Sequence, residues 1–157
     1  MSIAIERVTE ETPELRELIG ELDAAPGAQY EPHQRHGLSL AQLFAPHMRF
    51  FIARLDGASL GCGGVALFDD FAEVKRMYTR PAARGRGLAK AVLQRIEEEA
   101  RAAGKTVLRL ETGPYQHEAI GLYRRMGFTA CGAFGAYATM APRQIEMSVF
   151  LEKRLDR

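Results

Sequence analysis

The hydrophobic positions of this chain change period several times, and each change marks an element. Ile3, Ile5 and Val8 open with a strand-like segment, and Thr12-Pro13 supplies an N-cap and a first helical position. The helix that follows is predicted to run to about Leu22, with Leu15, Leu18, Ile19 and Leu22 on one face. Residues 24–37 (AAPGAQYEPHQRHG) read as a polar loop, long enough to expect a functional role. Ser39 is placed to cap a short helix over LAQLFA. MRFFIARL reads as a strand, Asp56-Gly57 as a hairpin turn and ASLGCGGVALF as the return strand. Asp69-Asp70 makes a second turn, and AEVKRMYT is strand-like up to Arg80-Pro81.

From Gly85 the period lengthens. Leu88, Val92, Ile96 and Ala100 recur every four residues with Ala89 and Leu93 beside them, the buried stripe of an amphipathic helix that ends at Gly104. TVLRLET is a compact strand, and Glu118 to Met126 is predicted helical with Gly127 at its stop. Phe128 onwards reads as β-like, and Met147, Val149 and Leu151 alternate in a closing strand. The order β-α-α-β-β-β-α-β-α-β-β predicts an α/β (α+β) domain with a mixed sheet and helices on both faces. No internal repeat, low-complexity tract or second domain is visible, so residues 1–157 read as one domain.

Composition narrows the class. With 46% hydrophobic and 26% charged residues and a net charge of +1, the chain reads as globular and not as a protein whose whole surface grips nucleic acid. No apolar run approaches the ~18 residues of a membrane helix, and the opening residues turn acidic too early for a signal peptide. A cytoplasmic protein without a membrane or nucleic-acid partner is expected. Cys62 and Cys131 make no disulfide framework and have no metal-ligand spacing. His33-x-x-His36 has no Cys or carboxylate set to complete a metal site, so no metal is expected.

The near-zero charge is unevenly spread. Residues 1–31 hold eight acids and two bases, whereas residues 74–96 hold seven bases (Lys75, Arg76, Arg80, Arg84, Arg86, Lys90, Arg95) and no acid. Such a block is either a solvated face or an anion site. Its centre, Thr79-Arg80-Pro81-Ala82-Ala83-Arg84-Gly85-Arg86-Gly87-Leu88-Ala89, lies between a strand and the amphipathic helix. A helix start leaves about four N–H groups unpaired and adds about half a positive charge. Gly85 and Gly87 let a ligand approach those groups, and Arg84 and Arg86 add two guanidinium forks. Together they favour a pyrophosphate. Two other glycine patterns fail on context. Gly104-Lys105-Thr106 ends a helix instead of opening one, and Gly61-x-Gly63-x-x-Ala66 sits inside a hairpin strand, where it marks a bulge or close packing.

Arg84-x-x-Gly87-x-Ala89 resembles the [Gln/Arg]-x-x-Gly-x-[Gly/Ala] signature of the GNAT superfamily of acetyl-CoA-dependent N-acetyltransferases. VKRMYTRPAARGRGLA resembles that family's fourth strand, pyrophosphate loop and third helix, and HEAIGLYRRMGF its later helix and exit strand. The resemblance implies a mostly antiparallel sheet splayed between strands 4 and 5, with acetyl-CoA as co-substrate. It places the pyrophosphate on Arg84, Gly85, Arg86, Gly87, Leu88 and Ala89, and the pantetheine along Met77, Tyr78 and Thr79. A strand N–H near Met77 would polarise the thioester carbonyl.

An alkyl ammonium is only about one part in 2,500 neutral at pH 7, so the implied reaction needs a base. Glu73 is the first candidate, its bland alternative being a surface partner for Lys75 or Arg76, and Glu111 is the reserve. Tyr123 matches the family's thiolate-protonating tyrosine, its alternative being a core aromatic beside Leu122 and Met126. Many members carry an asparagine after the fifth strand; this chain has none, and Thr112 or Gln116 is expected to replace it. Tyr30, His33, His36, Glu111 and Tyr137, with Phe134, are expected to line the acceptor side. The acidic N-terminal segment reads either as favouring a cationic acceptor or as a solvated helix face. The implied function is acetyl transfer to a primary amine of a small molecule or peptide, with a homodimer compatible with the family. A non-catalytic acyl-CoA sensor, or a transferase using another acyl-CoA or acceptor, remains the alternative.

Overall fold

The computed structural model describes residues 2–24 and 39–155. Strands β1 (Ile3–Val8), β2 (Met48–Leu55), β3 (Ala58–Leu67) and β4 (Ala72–Thr79) form an antiparallel meander. Strands β5 (Val107–Thr112), β6 (Thr129–Ala130) and β7 (Val149–Arg154) complete one seven-stranded sheet ordered β1-β2-β3-β4-β5-β7-β6. Its one parallel pair is β4–β5. The helices are α1 (Pro13–Ala24), α2 (Leu88–Ala102), α3 (His117–Arg125) and α4 (Pro142–Glu146).

Alternation along β2 assigns the two faces. Phe51, Ala53 and Leu55 pack with the Leu88, Val92, Leu93 and Ile96 stripe of α2, while Phe50 and Ile52 pack with Leu15, Leu18 and Ile19 of α1. The layers are therefore helix, sheet, helix, as the periodicities predicted. Thr12 accepts from the Leu15 N–H at 3.1 Å and caps α1.

Two local expectations are corrected. LAQLFA forms only a 3-10 turn over Ala41–Phe44. The chain after Phe128 is barely β: β6 has two residues, followed by a 3-10 turn over Gly135–Thr139 and then α4. Small residues there leave backbone free to coil, while Phe134 and Tyr137 anchor it through a third apolar cluster with Phe150. Among the described residues, no helix is long and apolar enough to cross a membrane.

Candidate active site

The site originates in a failure of pairing. β4 and β5 are joined only at Ala72↔Leu108 and Glu73↔Arg109, beyond which they splay. From Val74 onward the β5-facing edge of β4 has no strand partner, and a cleft of about 1130 Å³ opens there. β4 also carries a bulge: between the pairs Gly64↔Lys75 and Cys62↔Tyr78, Arg76 and Met77 together oppose Gly63. Within the bulge Arg76 takes a left-handed φ of 55°. The extra residue shifts the alternation, so that Val74 and Met77 both join the α2-side core and Arg76 leaves it for Asp23 of α1 at 2.7 Å. Gly63 makes the bulge possible, because a Cβ there would meet the Met77 sulfur and Val92. The glycines of β3 thus serve a bulge and close packing, as expected.

At the far end of β4 the chain enters the glycine-rich turn. Gly85 and Gly87 have φ of 80° and 86°, and Gly87 begins α2 with no side-chain cap. A Cβ on Gly85 would meet nothing within 4 Å, so this backbone is open to a ligand. Charge pairing separates the basic block into two parts. Arg80 reaches Glu17 at 3.1 Å and Glu21 at 2.9 Å, Arg76 reaches Asp23, Lys75 reaches Glu73 and Arg95 reaches Glu99. Arg84, Arg86 and Lys90 have no carboxylate partner among the described residues. The seven bases are thus mostly compensated, and the cations without a carboxylate gather at the start of α2. The same pairing commits Glu14, Glu17, Glu21 and Asp23 of α1 to Arg54, Arg80 and Arg76.

The inner end of the cleft holds the ionisable groups. Glu73 is 4% exposed and accepts from the Tyr137 hydroxyl at 2.7 Å and the Lys75 ammonium at 2.9 Å. Lys75 also donates to the Tyr137 hydroxyl at 3.0 Å. Glu73 does pair with Lys75, as its bland reading had it, but as a buried pair. Glu111 accepts from the Ser148 hydroxyl at 2.7 Å, and burial raises its proton affinity. Tyr123 of α3 is 6% exposed, packs edge-on against Phe128, and is held protonated above its usual range by burial. Burial, the Glu73 charge and the hydrogen bond to Glu73 likewise raise Tyr137.

The cleft brings together nearly all the residues expected from sequence: Glu73, Met77, Tyr78, Thr79, Arg84, Gly85, Gly87, Leu88, Ala89, Glu111, Thr112, Gln116, Tyr123 and Tyr137 line it. Arg86 stands exposed on the loop and is not among the lining residues. Phe134 sits behind Tyr137, ring centroids 5.2 Å apart, and supports the wall without lining it. Tyr30, His33 and His36 lie outside the described residues. Sequence reasoning had Lys75 only as one base in a run and a surface partner for Glu73, and missed its place in the cleft wall. It also missed Ser148, which follows Met147 in an apolar alternation, and Tyr115, which lines the cleft while 63% exposed. Among the described residues no group of three or more His, Cys, Asp or Glu could hold a metal ion.

Comparison with known proteins agrees with this geometry. Residues 13–128 match the model of the acetyltransferase (GNAT) family. The chain is 44% identical over 141 residues to an IAA acetyltransferase of Azospirillum brasilense, covering 88% of this chain and 89% of that protein. A candidate acyl-CoA N-acyltransferase of Klebsiella pneumoniae superposes with a TM-score of 0.75 at 33% identity, covering 98% of this chain and 97% of that one. The PaiA N-acetyltransferase of Thermoplasma acidophilum, solved in complex with coenzyme A, shares the fold with a TM-score of 0.74 at 19% identity over 98% and 99% of the two chains. The chain belongs to the acetyltransferase (GNAT) family.

Proposed function

We propose that this protein transfers acetyl from acetyl-CoA to a primary amine of a small molecule or peptide by direct attack in a ternary complex. The observation that carries the reading is the splay itself, which runs from an uncapped, cation-rich helix start to a buried acid–base cluster. The coenzyme A in the Thermoplasma structure supports the choice of co-substrate. The residues present fit such a molecule. The open backbone at Gly85 and Gly87 and the cations Arg84, Arg86 and Lys90 suit a pyrophosphate, and the unpaired edge of β4 suits an extended amide-bearing arm. When bound, acetyl-CoA supplies the activated acyl group.

The chain's own groups divide the remaining work between the two sides of the sheet. Tyr123 belongs to the α2-side core, whereas Glu111 alternates with Leu110 of that core and so faces the other way. Tyr123 donates to the departing sulfur, and the proton it gives is replaced from the adduct nitrogen. A base on the opposite side takes the first proton from the acceptor, with Glu73 and Glu111 both in position. The buried walls keep water from competing for the acyl group. Incubation with acetyl-CoA and a panel of primary amines, following free thiol and acetylated product, is expected to show amine-dependent release. Binding of acetyl-CoA with no turnover on any amine would sink the proposal in favour of a sensor.

A further inference from the structure

Two carboxylates carried by the splayed strands themselves line the cleft, and they are held very differently. Glu73 sits in a closed set, with its Oε2 receiving both Tyr137 and Lys75, and Lys75 in turn donating to Tyr137. Protonating Glu73 would remove the counter-ion of a lysine whose side chain is only 12% exposed, a costly change for a group that must cycle. Glu111 has no such obligation. Among the described residues its hydrogen-bond partner is the neutral Ser148 hydroxyl, at 2.7 Å. Its place follows from register: the last parallel pair is Glu73↔Arg109, so Lys75 and Glu111 each stand two residues farther along, across the opening from one another.

We propose that Glu111 is the carboxylate that takes the proton from the acceptor amine, and that Glu73, paired with Lys75 and Tyr137, is a positioning group beside it. This rests on the reading of the cleft as an acyl-transfer site. The acceptor enters as an ammonium and gives one proton to Glu111. The nitrogen lone pair then attacks the thioester carbon; the C–N bond forms and the C–S bond breaks. The second nitrogen proton replaces the one that Tyr123 gives to sulfur, and Glu111 releases its proton to solvent as product leaves. Burial raises Glu111 towards the working pH, which suits a base that must also let go. The groups that act on its charge are Glu73 and Lys75 of β4, Tyr137 of the 3-10 turn and the Ser148 hydroxyl. Glu73 acts to raise its proton affinity, while Lys75 and the Ser148 hydroxyl lower it.

The test compares Glu111→Gln and Glu73→Gln in the full chain, with acetyl-CoA and two acceptor types. The first is an alkylamine panel of ethylamine, benzylamine and spermidine; the second is methoxyamine, already neutral at the assay pH, corrected for its uncatalysed reaction. Glu111→Gln is expected to lower kcat on the alkylamines by about a hundredfold or more and abolish the acidic limb of the pH profile. It should leave acetyl-CoA affinity within twofold and methoxyamine turnover within severalfold. Glu73→Gln should retain the acidic limb whatever its rate. Ser148→Ala, which keeps the carboxylate, should move that limb to higher pH, because a donor to the charged form is lost. If Glu111→Gln keeps the limb and wild-type kcat, or if Glu73→Gln alone loses the limb, the assignment is overturned while the transferase reading stands. A wild type that binds acetyl-CoA but acetylates no amine overturns both.

Discussion

Tyr123 and the β3 glycines show how much one side chain decides. Tyr123 sits at apolar helical spacing yet lines the cleft, and burial keeps its hydroxyl protonated and available as a donor. Tyr123→Phe removes only that donor. It is expected to lower kcat by about tenfold or more with acetyl-CoA affinity unchanged, as steady-state kinetics and direct binding would show. An unaltered kcat would take Tyr123 out of the mechanism. At Gly64 the limit is packing: an added Cβ would lie 2.5 Å from Phe50 Cδ1 and 2.9 Å from the Arg49 carbonyl oxygen. The backbone cannot yield as a flexible side chain does, so Gly64→Ala should cost about 2 kcal/mol. That corresponds to a loss of about 4–8 °C in Tm by calorimetry. The glycines were legible as close-packing positions from their place in a strand. Their partners were not, because these lie on other strands and on α2.

α1 and the α2 start illustrate the element scale. α1 reads as a solvated acidic helix, but folded it is a clamp on β2, β3 and β4. Glu14 binds Arg54 at 2.9 Å and the Ser59 hydroxyl, Glu21 receives Tyr78 at 3.1 Å and Arg80 at 3.0 Å, and Asp23 holds the bulge residue Arg76. The hydrogen bonds from Arg54 and Ser59 lower Glu14 from 4.5 to about 2. Since the folded value is the lower one, the stabilisation is present above about pH 4.5 and is lost as pH falls towards 2. Glu14 is half exposed, so its contribution is at most about 1 kcal/mol. Glu14→Gln should therefore lower Tm by a few degrees at pH 7, and the gap from wild type should close by pH 2 in thermal melts. A gap that persists at acid pH would mean that packing, not charge, is responsible. At the other element, Arg84→Ala removes one of three cations beside the uncapped turn. Acetyl-CoA affinity should fall by about tenfold, less so in high salt, as titration calorimetry at two ionic strengths would reveal. Unchanged affinity would count against the pyrophosphate assignment.

At the scale of the whole molecule, a net charge of +1 conceals an ordered division. The acids of α1 pair with the first part of the basic block, and the cations of that block left without a carboxylate among the described residues stand at the start of α2. At the other end one ion pair, Lys75–Glu73, is internal and buried. The proposed polyanion and ammonium would thus be received at opposite ends of one groove.

The sequence by itself determined the main strands and helices as far as Phe128, the two helix faces, the glycine-rich turn and the family signature, because periodicity and backbone chemistry are local properties. Through the resemblance to the family it also singled out Tyr123, in its LYRRMGF context, and Glu73 and Glu111, by their places on the fourth and fifth strands. Tertiary structure alone decided which charges cancel, because Lys75–Glu73–Tyr137 and Arg76–Asp23 join residues from different elements. It decided the Arg76 bulge, which depends on how β4 pairs with β3 and how Met77 and Val92 crowd Gly63. It also decided that the parallel pairing of β4 and β5 stops after Glu73↔Arg109. That register joins residues 36 positions apart in the chain (109 − 73), and from it comes the cleft.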